Sequence, residues 1–152
     1  TQLREDTLMI KPLQKNKNDY KYFETFSTRW RDNDVYGHMN NVVFYEFVDS
    51  IVNSWLNVSG GLKVPDGKVI GLVVETKCTY FAPLKFPQIV NCGLVLDRKG
   101  NTSISYEIGL FNGDQFKTSA QVNFVHVYVD SHTRKPIKLP NSLERVLNNI
   151  TL

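Results

Sequence analysis

The chain has 152 residues, of which 41% are hydrophobic and 22% charged, and its formal net charge is +3 at neutral pH. This length fits one domain with a sizeable core, and the composition is that of an ordinary globular protein. The charge is too small, and the lysines and arginines too scattered, to indicate a nucleic-acid partner. The apolar stretches are too short and too interrupted to predict a membrane span.

Residues 1–19 are polar with basic patches, and we expect them to form a flexible lead-in to a single domain over residues 20–152. The chain begins at Thr1, which is compatible with a trimmed N-terminus, so the lack of a visible targeting segment excludes no compartment. Cys78 and Cys92 lie in strand-like segments without a second cysteine at CxxC spacing. We expect buried free thiols in a reducing compartment, cytoplasmic or mitochondrial.

The first predicted elements are a strand and a helix. Residues 20–30 are rich in aromatic residues and threonine, which is typical of a strand. From 42 to 58, the polar side chains recur at three, four, seven, eight and eleven residues after Glu46, which is one stripe of a helix. The other positions are mostly apolar, so this helix is predicted to be largely buried. Gly60 and Gly61 are expected to end it.

Alternating apolar residues predict four further strands, at 69–82, 89–97, 102–111 and 115–129. The turn sequences RKGN and NGD separate the last three. Consecutive short turns indicate an antiparallel meander. The tail is predicted to be a loop and then a short helix, which Asn141 or Ser142 could cap.

This element order predicts an α+β domain in which a curved antiparallel sheet of about five strands wraps a central helix. One such sheet covers only part of the helix and leaves its own edges unpaired. We therefore expect a homodimer with the sheets of two copies joined or packed together; a homotetramer stays open.

Residues 31–41, RDNDVYGHMNN, crowd polar side chains against the predicted helix. Asn40 or Asn41 stands at the helix start, where backbone N–H groups are unpaired and the helix dipole is positive. Such a terminus can bind an anion or a developing oxyanion. Asp32 and Asp34 lie a few residues before it. A carboxylate beside such donors suits hydrolysis of an acyl compound such as a thioester, by direct attack or by deprotonation of water.

A purely structural interpretation of this stretch stands beside the catalytic one. Asp and Asn are the usual turn and capping residues, and Gly37 allows either a sharp turn or the close approach of a ligand. His38 is likewise structural or functional, whereas His126 and His132 are expected to be structural. The sequence has no GxSxG, GxGxxG or P-loop motif.

The segment 28–56, TRWRDNDVYGHMNNVVFYEFVDSIVNSWL, resembles the signature region of the hotdog-fold acyl-CoA thioesterases, in the 4-hydroxybenzoyl-CoA thioesterase-like branch. The pattern Asp-x-Asp-x-x-Gly-His-x-Asn-Asn before an apolar helix carries the resemblance, and the element order agrees over about residues 20–140. The resemblance implies a hotdog fold: a long helix wrapped by an antiparallel sheet, with dimers as the smallest unit. It also implies an acyl-CoA substrate and no metal or redox cofactor.

The resemblance assigns roles within the motif. In the family the Asp ahead of x-x-Gly is the catalytic carboxylate, here Asp34, acting as nucleophile or general base. Asp32 and Gly37 would support the loop, and backbone N–H groups around Asn40 and Asn41 would bind the oxyanion.

Two departures from the family pattern bear on these roles. Val35 and Tyr36 stand where the 4-hydroxybenzoyl-CoA enzyme has Pro-Ala. The continuation GHMNN is closer to the fatty acyl thioesterases, including the plant acyl-carrier-protein type, which has Asn at the position of Tyr36 and uses His at that of His38. The resemblance therefore adds His38 as a second catalytic candidate.

Several alternatives remain open from the sequence. A non-catalytic hotdog module would bind acyl groups or a protein partner without turnover, and a dehydratase or hydratase would pair a histidine with a carboxylate across the site. Neither acyl chain length nor the choice between CoA and a carrier protein can be predicted. Basic residues that suit the CoA phosphates by type are Lys77, Lys85, Arg98 and Lys99.

Overall fold

The computed structural model describes residues 11–152 as one antiparallel sheet and one central helix with short flanking elements. The strands are β1 (Tyr22–Ser27), β2 (Val69–Tyr80), β3 (Ile89–Lys99), β4 (Ser103–Asn112) and β5 (Ala120–Asp130). Helix α1 (Asn41–Val58) follows β1, and the short helix α2 (Asn141–Val146) lies near the C-terminus. The predicted α+β class, with a curved five-stranded sheet against a helix, is confirmed, although α1 is only modestly long.

The strand order across the sheet is β1-β3-β4-β5-β2. The predicted meander is therefore correct for β3, β4 and β5, but β2 does not lie beside β3. Instead β2 pairs with β5, with Tyr80 opposite Ala120, and β1 pairs with β3, with Tyr22 opposite Leu94. The crossover places β1 and β2 at opposite edges of the sheet, and each has one edge without a partner strand in the described chain.

Two predicted strands were too long. The first, predicted over 20–30, is only β1, because the chain turns into a 3₁₀ turn at Trp30–Asp32. The last, predicted from 115, begins at Ala120. The residues before it form a loop, in which the backbone N–H of Thr118 donates to the carbonyl of Lys15.

Helix α1 packs one face into the core. The N-cap is Asn40, whose side-chain oxygen accepts a hydrogen bond from the backbone N–H of Val42 at 3.0 Å. Gly60, with φ of +78°, follows the last turn. The buried residues recur at helical spacing: Val43, Phe44, Phe47, Val48, Ile51, Val52, Trp55 and Leu56. The opposite face is open in the single chain, so α1 is less completely buried than its composition predicts.

The core also contains a chain of three polar side chains. The Nδ1 atom of His126 lies 3.1 Å from the hydroxyl of Tyr128, which lies 2.6 Å from the hydroxyl of Tyr106. All three residues are buried. His126 is therefore placed as expected for a structural histidine, satisfied inside the core.

The two cysteines are free, as expected. Cys92 is buried and Cys78 is half-buried. Burial raises the pKa of both thiols, so both stay protonated at neutral pH.

Residues 11–19 differ from the expected flexible lead-in, because they are bonded to the sheet; residues 1–10 lie outside the described residues. The Lys15 ammonium donates to Glu107 at 2.6 Å, and the hydroxyl of Tyr20 donates to the other oxygen of the same carboxylate at 2.6 Å. The Tyr20 ring lies directly over Gly93 and Gly109, where an added Cβ would come within 2.8 Å and 2.6 Å of Tyr20 atoms. These contacts of Lys15 and Tyr20 anchor the segment that precedes β1 to the sheet.

The C-terminal helix α2 has Pro140 at its N-cap position, and no side chain caps it. The predicted capping by Asn141 or Ser142 is therefore wrong. The hydroxyl of Ser142 donates instead to the carbonyl of Gly61 at 2.8 Å and so ties α2 to the end of α1. Within residues 11–152, no helix combines the length and the hydropathy needed to cross a bilayer.

Candidate active site

The loop between the 3₁₀ turn and α1 reverses direction, and two backbone hydrogen bonds join its two halves. The backbone N–H of Asn40 donates to the carbonyl of Asp32 at 2.8 Å, and that of Asp34 donates to the carbonyl of His38 at 2.8 Å. Gly37, with φ of +79°, makes the reversal at the tip, a conformation that side chains with a Cβ rarely adopt. We call residues 32–40 the Asp34 loop below.

The carboxylate of Asp34 is oriented by its own loop. Its Oδ1 atom accepts hydrogen bonds from the backbone N–H groups of Tyr36 at 2.8 Å and His38 at 3.4 Å. Its Oδ2 atom accepts none from residues 11–152. One oxygen is therefore held by the turn while the other remains available to a ligand or a water molecule.

Asp32 is buried at the base of the loop and paired with Arg29. The residue is 1% exposed, and its carboxylate accepts from the backbone N–H of Arg29 at 2.7 Å and from Nε of the Arg29 guanidinium at 3.1 Å. A buried carboxylate paired in this way is unsuited to attack a substrate. Its main-chain carbonyl, which binds Asn40, closes the base of the loop.

The two predicted oxyanion donors differ in whether their backbone N–H groups are already hydrogen-bonded. The N–H of Asn40 is already bonded to Asp32, and the N–H of Val42 is bonded to the Asn40 side chain. In the described chain, the N–H of Asn41 has no hydrogen-bond partner. Asn41 is thus the donor that the first turn of α1 leaves open, and Asn40 serves as the helix cap.

A cavity of about 420 Å³ brings these groups together. Asp34, His38 and Asn41 line its polar side. The other wall comes from α1, from the last residue of β2 and from the segment that follows it: Phe44, Tyr80, Phe81, Ala82, Pro83 and Leu84. The cavity is therefore lined on one side by the residues that carry a carboxylate, an imidazole and an open N–H, and on the other by mostly apolar residues.

Hydrogen bonds join the Asp34 loop to this second wall. The N–H of Met39 donates to the carbonyl of Leu84 at 2.7 Å, and the N–H of Phe86 donates to the side-chain oxygen of Asn33 at 3.0 Å. The wall residues were not predicted as site residues. Their alternating pattern indicates only a strand and its end, and no local signal places them beside Asp34.

The apolar wall also contains a tyrosine that the sequence analysis did not single out. The ring of Tyr80 packs edge-on against Phe44, with centroids 5.0 Å apart. Burial, and then the neighbouring Cys78 thiol, raise the pKa of Tyr80. The hydroxyl therefore stays protonated at neutral pH, as a neutral polar group at the edge of the cavity.

The basic residues proposed by type are not equally placed. Lys85 is exposed and follows Leu84, a residue of the cavity wall. Lys77 is exposed near the end of β2. Arg98 and Lys99 lie at the end of β3, while the cavity lies near its beginning, and Lys99 is paired with Glu144 at 3.1 Å. Of these four basic residues, Lys85 is the one that directly follows a cavity-lining residue in the chain.

His38 is exposed and lines the cavity, whereas His126 lies inside the core and His132 on the surface. In the part of the chain that the structure describes, no group of three His, Cys, Asp or Glu side chains is arranged to hold a metal ion.

The family model of the thioesterase-like superfamily matches residues 28–147. No curated protein matches the chain. Among solved structures, the chain is similar to the PA5185 protein of Pseudomonas aeruginosa strain PAO1. The identity is 43%, the TM-score is 0.88, and the match covers 91% of this chain and 97% of the other.

More distant structures share the fold. One is Slr0204, a 1,4-dihydroxy-2-naphthoyl-CoA thioesterase from Synechocystis, with 16% identity, a TM-score of 0.75, and coverage of 84% of this chain and 95% of that one. Another is the SAV2348 protein of Staphylococcus aureus in complex with CoA, with 15% identity, a TM-score of 0.76, and coverage of 93% and 87%.

Proposed function

Because the chain belongs to the thioesterase-like superfamily, we propose that it is an acyl-CoA thioesterase, which hydrolyses a thioester to a free acid and CoA. The observation that carries the proposal is the shared cavity: the free oxygen of Asp34 and the open N–H of Asn41 belong to residues that line the same space. Hydrolysis of a thioester needs both a nucleophile or base and a donor for the oxyanion.

In the proposed reaction the thioester carbonyl lies against the first turn of α1. The N–H of Asn41 donates to the carbonyl oxygen as negative charge develops on it, and the helix dipole adds to this stabilisation. Asp34 either attacks the carbonyl carbon or removes a proton from the water that does so. The C–S bond then breaks, and CoA leaves as a thiolate that takes up a proton. After direct attack, the acyl group is left as an anhydride on Asp34, and water hydrolyses it to release the acid and restore the carboxylate.

The apolar wall is proposed to hold the acyl group. Phe44, Tyr80 and Leu84 form an apolar surface facing the polar groups, which suits an alkyl or aryl acyl chain. Lys85, exposed next to this wall, is the proposed contact for a CoA phosphate. His38 lines the cavity and is the second candidate for proton transfer or for orientation of water.

We also propose that the working unit is a homodimer joined along β2. This strand has 12 residues and an open edge, and Leu72, Val73 and Val74 are 37%, 46% and 59% exposed in the single chain. An open edge and exposed apolar residues favour pairing with another strand. The open face of α1 offers further surface for the second copy.

Two copies of β2 related by a two-fold axis would run antiparallel. The beginning of one strand, near Val69, would then approach the end of the other, near Tyr80. Since Tyr80 lines the cavity, residues of one chain would close the open side of the partner's site. This arrangement is the physical basis for proposing that each site is completed at the interface.

The function is tested by thiol release from a panel of alkyl and aryl acyl-CoAs. Wild-type protein is expected to hydrolyse at least one of them, and Asp34→Asn, which preserves shape and removes charge, is expected to lose about 10²–10⁴-fold in kcat. Asp114→Asn, an exposed aspartate of the turn between β4 and β5 outside the cavity, is the matched control and should retain full turnover. Tight binding of acyl-CoA without any thiol release by the wild type would favour a binding module instead.

A further inference from the structure

We propose that Arg29 is a positioning residue of this site, which holds the Asp34 loop at a fixed place relative to helix α1. The inference rests on the proposed function, since it concerns the geometry of the same reaction. Arg29 touches neither the cavity nor Asp34, so its role is to act through other residues.

The first observation is the attachment of Arg29 to the base of the loop. Its Nη2 atom lies 2.9 Å from Oδ1 of Asp32, and its Nε atom lies 3.1 Å from Oδ1 and 3.3 Å from Oδ2. The backbone N–H of Arg29 donates to Oδ2 at 2.7 Å. The main chain and the side chain of Arg29 therefore bind both carboxylate oxygens of Asp32, a residue that is only 1% exposed.

The second observation is that the same guanidinium reaches the helix. The Nη2 atom of Arg29 also donates to Oε1 of Glu46 at 3.0 Å. Glu46 lies in the second turn of α1. The guanidinium therefore donates to Asp32 through Nε and to Glu46 through Nη2. One planar group thus joins the base of the loop to the body of the helix.

The consequence for the site follows from the backbone. The carbonyl of Asp32 accepts the N–H of Asn40, and the next N–H along the chain is the open donor. In the other direction, Asp34 is only two residues from Asp32. A shift of Asp32 would therefore change the separation between the reactive carboxylate and the oxyanion donor. Misplacement of reacting groups by about 1 Å can cost about 10²-fold in rate.

A different role for Arg29 would be to attract the negatively charged CoA through its own charge. That role predicts a higher KM with little change in kcat, since it concerns the encounter with substrate. Positioning predicts the opposite, a lower kcat with KM nearly unchanged. Arg31 is the matched comparison, because it is exposed in the same 3₁₀ turn and makes no ion pair with residues 11–152.

The test is steady-state hydrolysis of an acyl-CoA that the wild type turns over. Arg29→Gln is expected to lower kcat about 10–100-fold, with KM changed less than about threefold. Arg29→Lys should recover only part of the loss, because an ammonium cannot reproduce the planar fork. Glu46→Gln should lower kcat by a smaller factor, and Arg31→Gln should match the wild type.

Loss of Arg29 also leaves the buried charge of Asp32 unpaired, which destabilises the fold. The double variant Arg29→Gln/Asp32→Asn removes both charges and is expected to regain thermal stability without regaining kcat. Glu46→Gln keeps the Arg29–Asp32 pair intact, so it reports on positioning even if Arg29→Gln does not fold.

The outcomes are distinct. A folded Arg29→Gln with wild-type kcat would overturn the inference, as would equal rises in KM for Arg29→Gln and Arg31→Gln. If Arg29→Gln does not fold, an unchanged kcat in Glu46→Gln overturns it. Absence of hydrolysis by the wild type on every acyl-CoA would instead contradict the proposed function.

Discussion

The backbone N–H of Asn40 donates to the carbonyl of Asp32 at 2.8 Å. This hydrogen bond joins the two ends of the loop, so the N–H of Asn40 is not available to a ligand. The next N–H along the chain is that of Asn41, the first residue of α1, and it has no hydrogen-bond partner among the described residues. This one bond therefore leaves Asn41, and not Asn40, as the candidate donor for an oxyanion at the helix start.

The role of that donor can be tested by removing only the N–H. Proline is favoured at the first position of a helix, where its missing N–H costs no helical hydrogen bond. Asn40 has φ of −58° and ψ of 139°, which the residue before a proline accepts readily. Asn41→Pro is therefore expected to fold normally and to lose about 10²–10³-fold in kcat. Asn41→Ala, which keeps the N–H, should retain most of the activity; equal activity of the two variants would rule out this donor.

The two aspartates of the motif should respond differently to neutralisation. Asp34 is held by two N–H groups of its own turn, so Asp34→Asn should reduce turnover with little change in stability. Asp32→Asn removes the buried charge that pairs with Arg29 and should lower the free energy of unfolding more than Asp34→Asn does. Denaturant unfolding and thiol release measured on both variants would show a misassignment if the pattern were reversed.

Gly37 and Gly60 form a matched pair for testing the loop tip. Their φ values are +79° and +78°, and an added Cβ at either would meet no atom within 4 Å. Alanine at either position is therefore expected to cost a similar free energy of unfolding, about 1–2 kcal/mol. Only Gly37→Ala should also lower kcat, since only Gly37 shapes the turn that orients Asp34. A similar fall in kcat for Gly60→Ala would attribute the effect to stability alone.

The proposed dimer can be tested at the open edge of the sheet. Val73 pairs with His126 in register, so it lies on the helix-facing side of β2, and it is 46% exposed. Val73→Lys is expected to convert the dimer to a monomer and to reduce hydrolysis. Ile89→Lys, at a residue 45% exposed at the start of β3, should leave the dimer intact. Sedimentation at micromolar concentration measures both, and a monomeric wild type would refute the dimer.

His126 is expected to make stability depend on pH. Burial lowers its pKa from 6.5 to about 4, so below pH 6.5 the unfolded chain binds a proton that the folded chain does not. The free energy of unfolding should therefore fall as the pH decreases from about 6.5 towards 4, by up to about 3 kcal/mol. Chemical denaturation at pH 7 and pH 5 should show this slope in the wild type and a smaller slope in His126→Gln.

Local patterns in the sequence were enough to predict the helix and its N-terminal cap. The apolar stripe from Val43 to Leu56 predicts a helix because its spacing matches the helical turn, and α1 follows it closely. The polar residues before it predict an N-terminal cap, and Asn40 is that cap. These features depend only on residues within a few positions of one another.

The tertiary structure decided the features that depend on distant residues. The position of β2 beside β5, and of Tyr80 to Leu84 beside Asp34, follows from strand pairing across the sheet, which no local period encodes. The choice between Asn40 and Asn41 as donor depends on one hydrogen bond to Asp32, and the link from Arg29 to Glu46 spans 17 residues. The sequence alone determined which groups are available for chemistry, whereas long-range hydrogen bonds and packing decided which of them are free and which face one another.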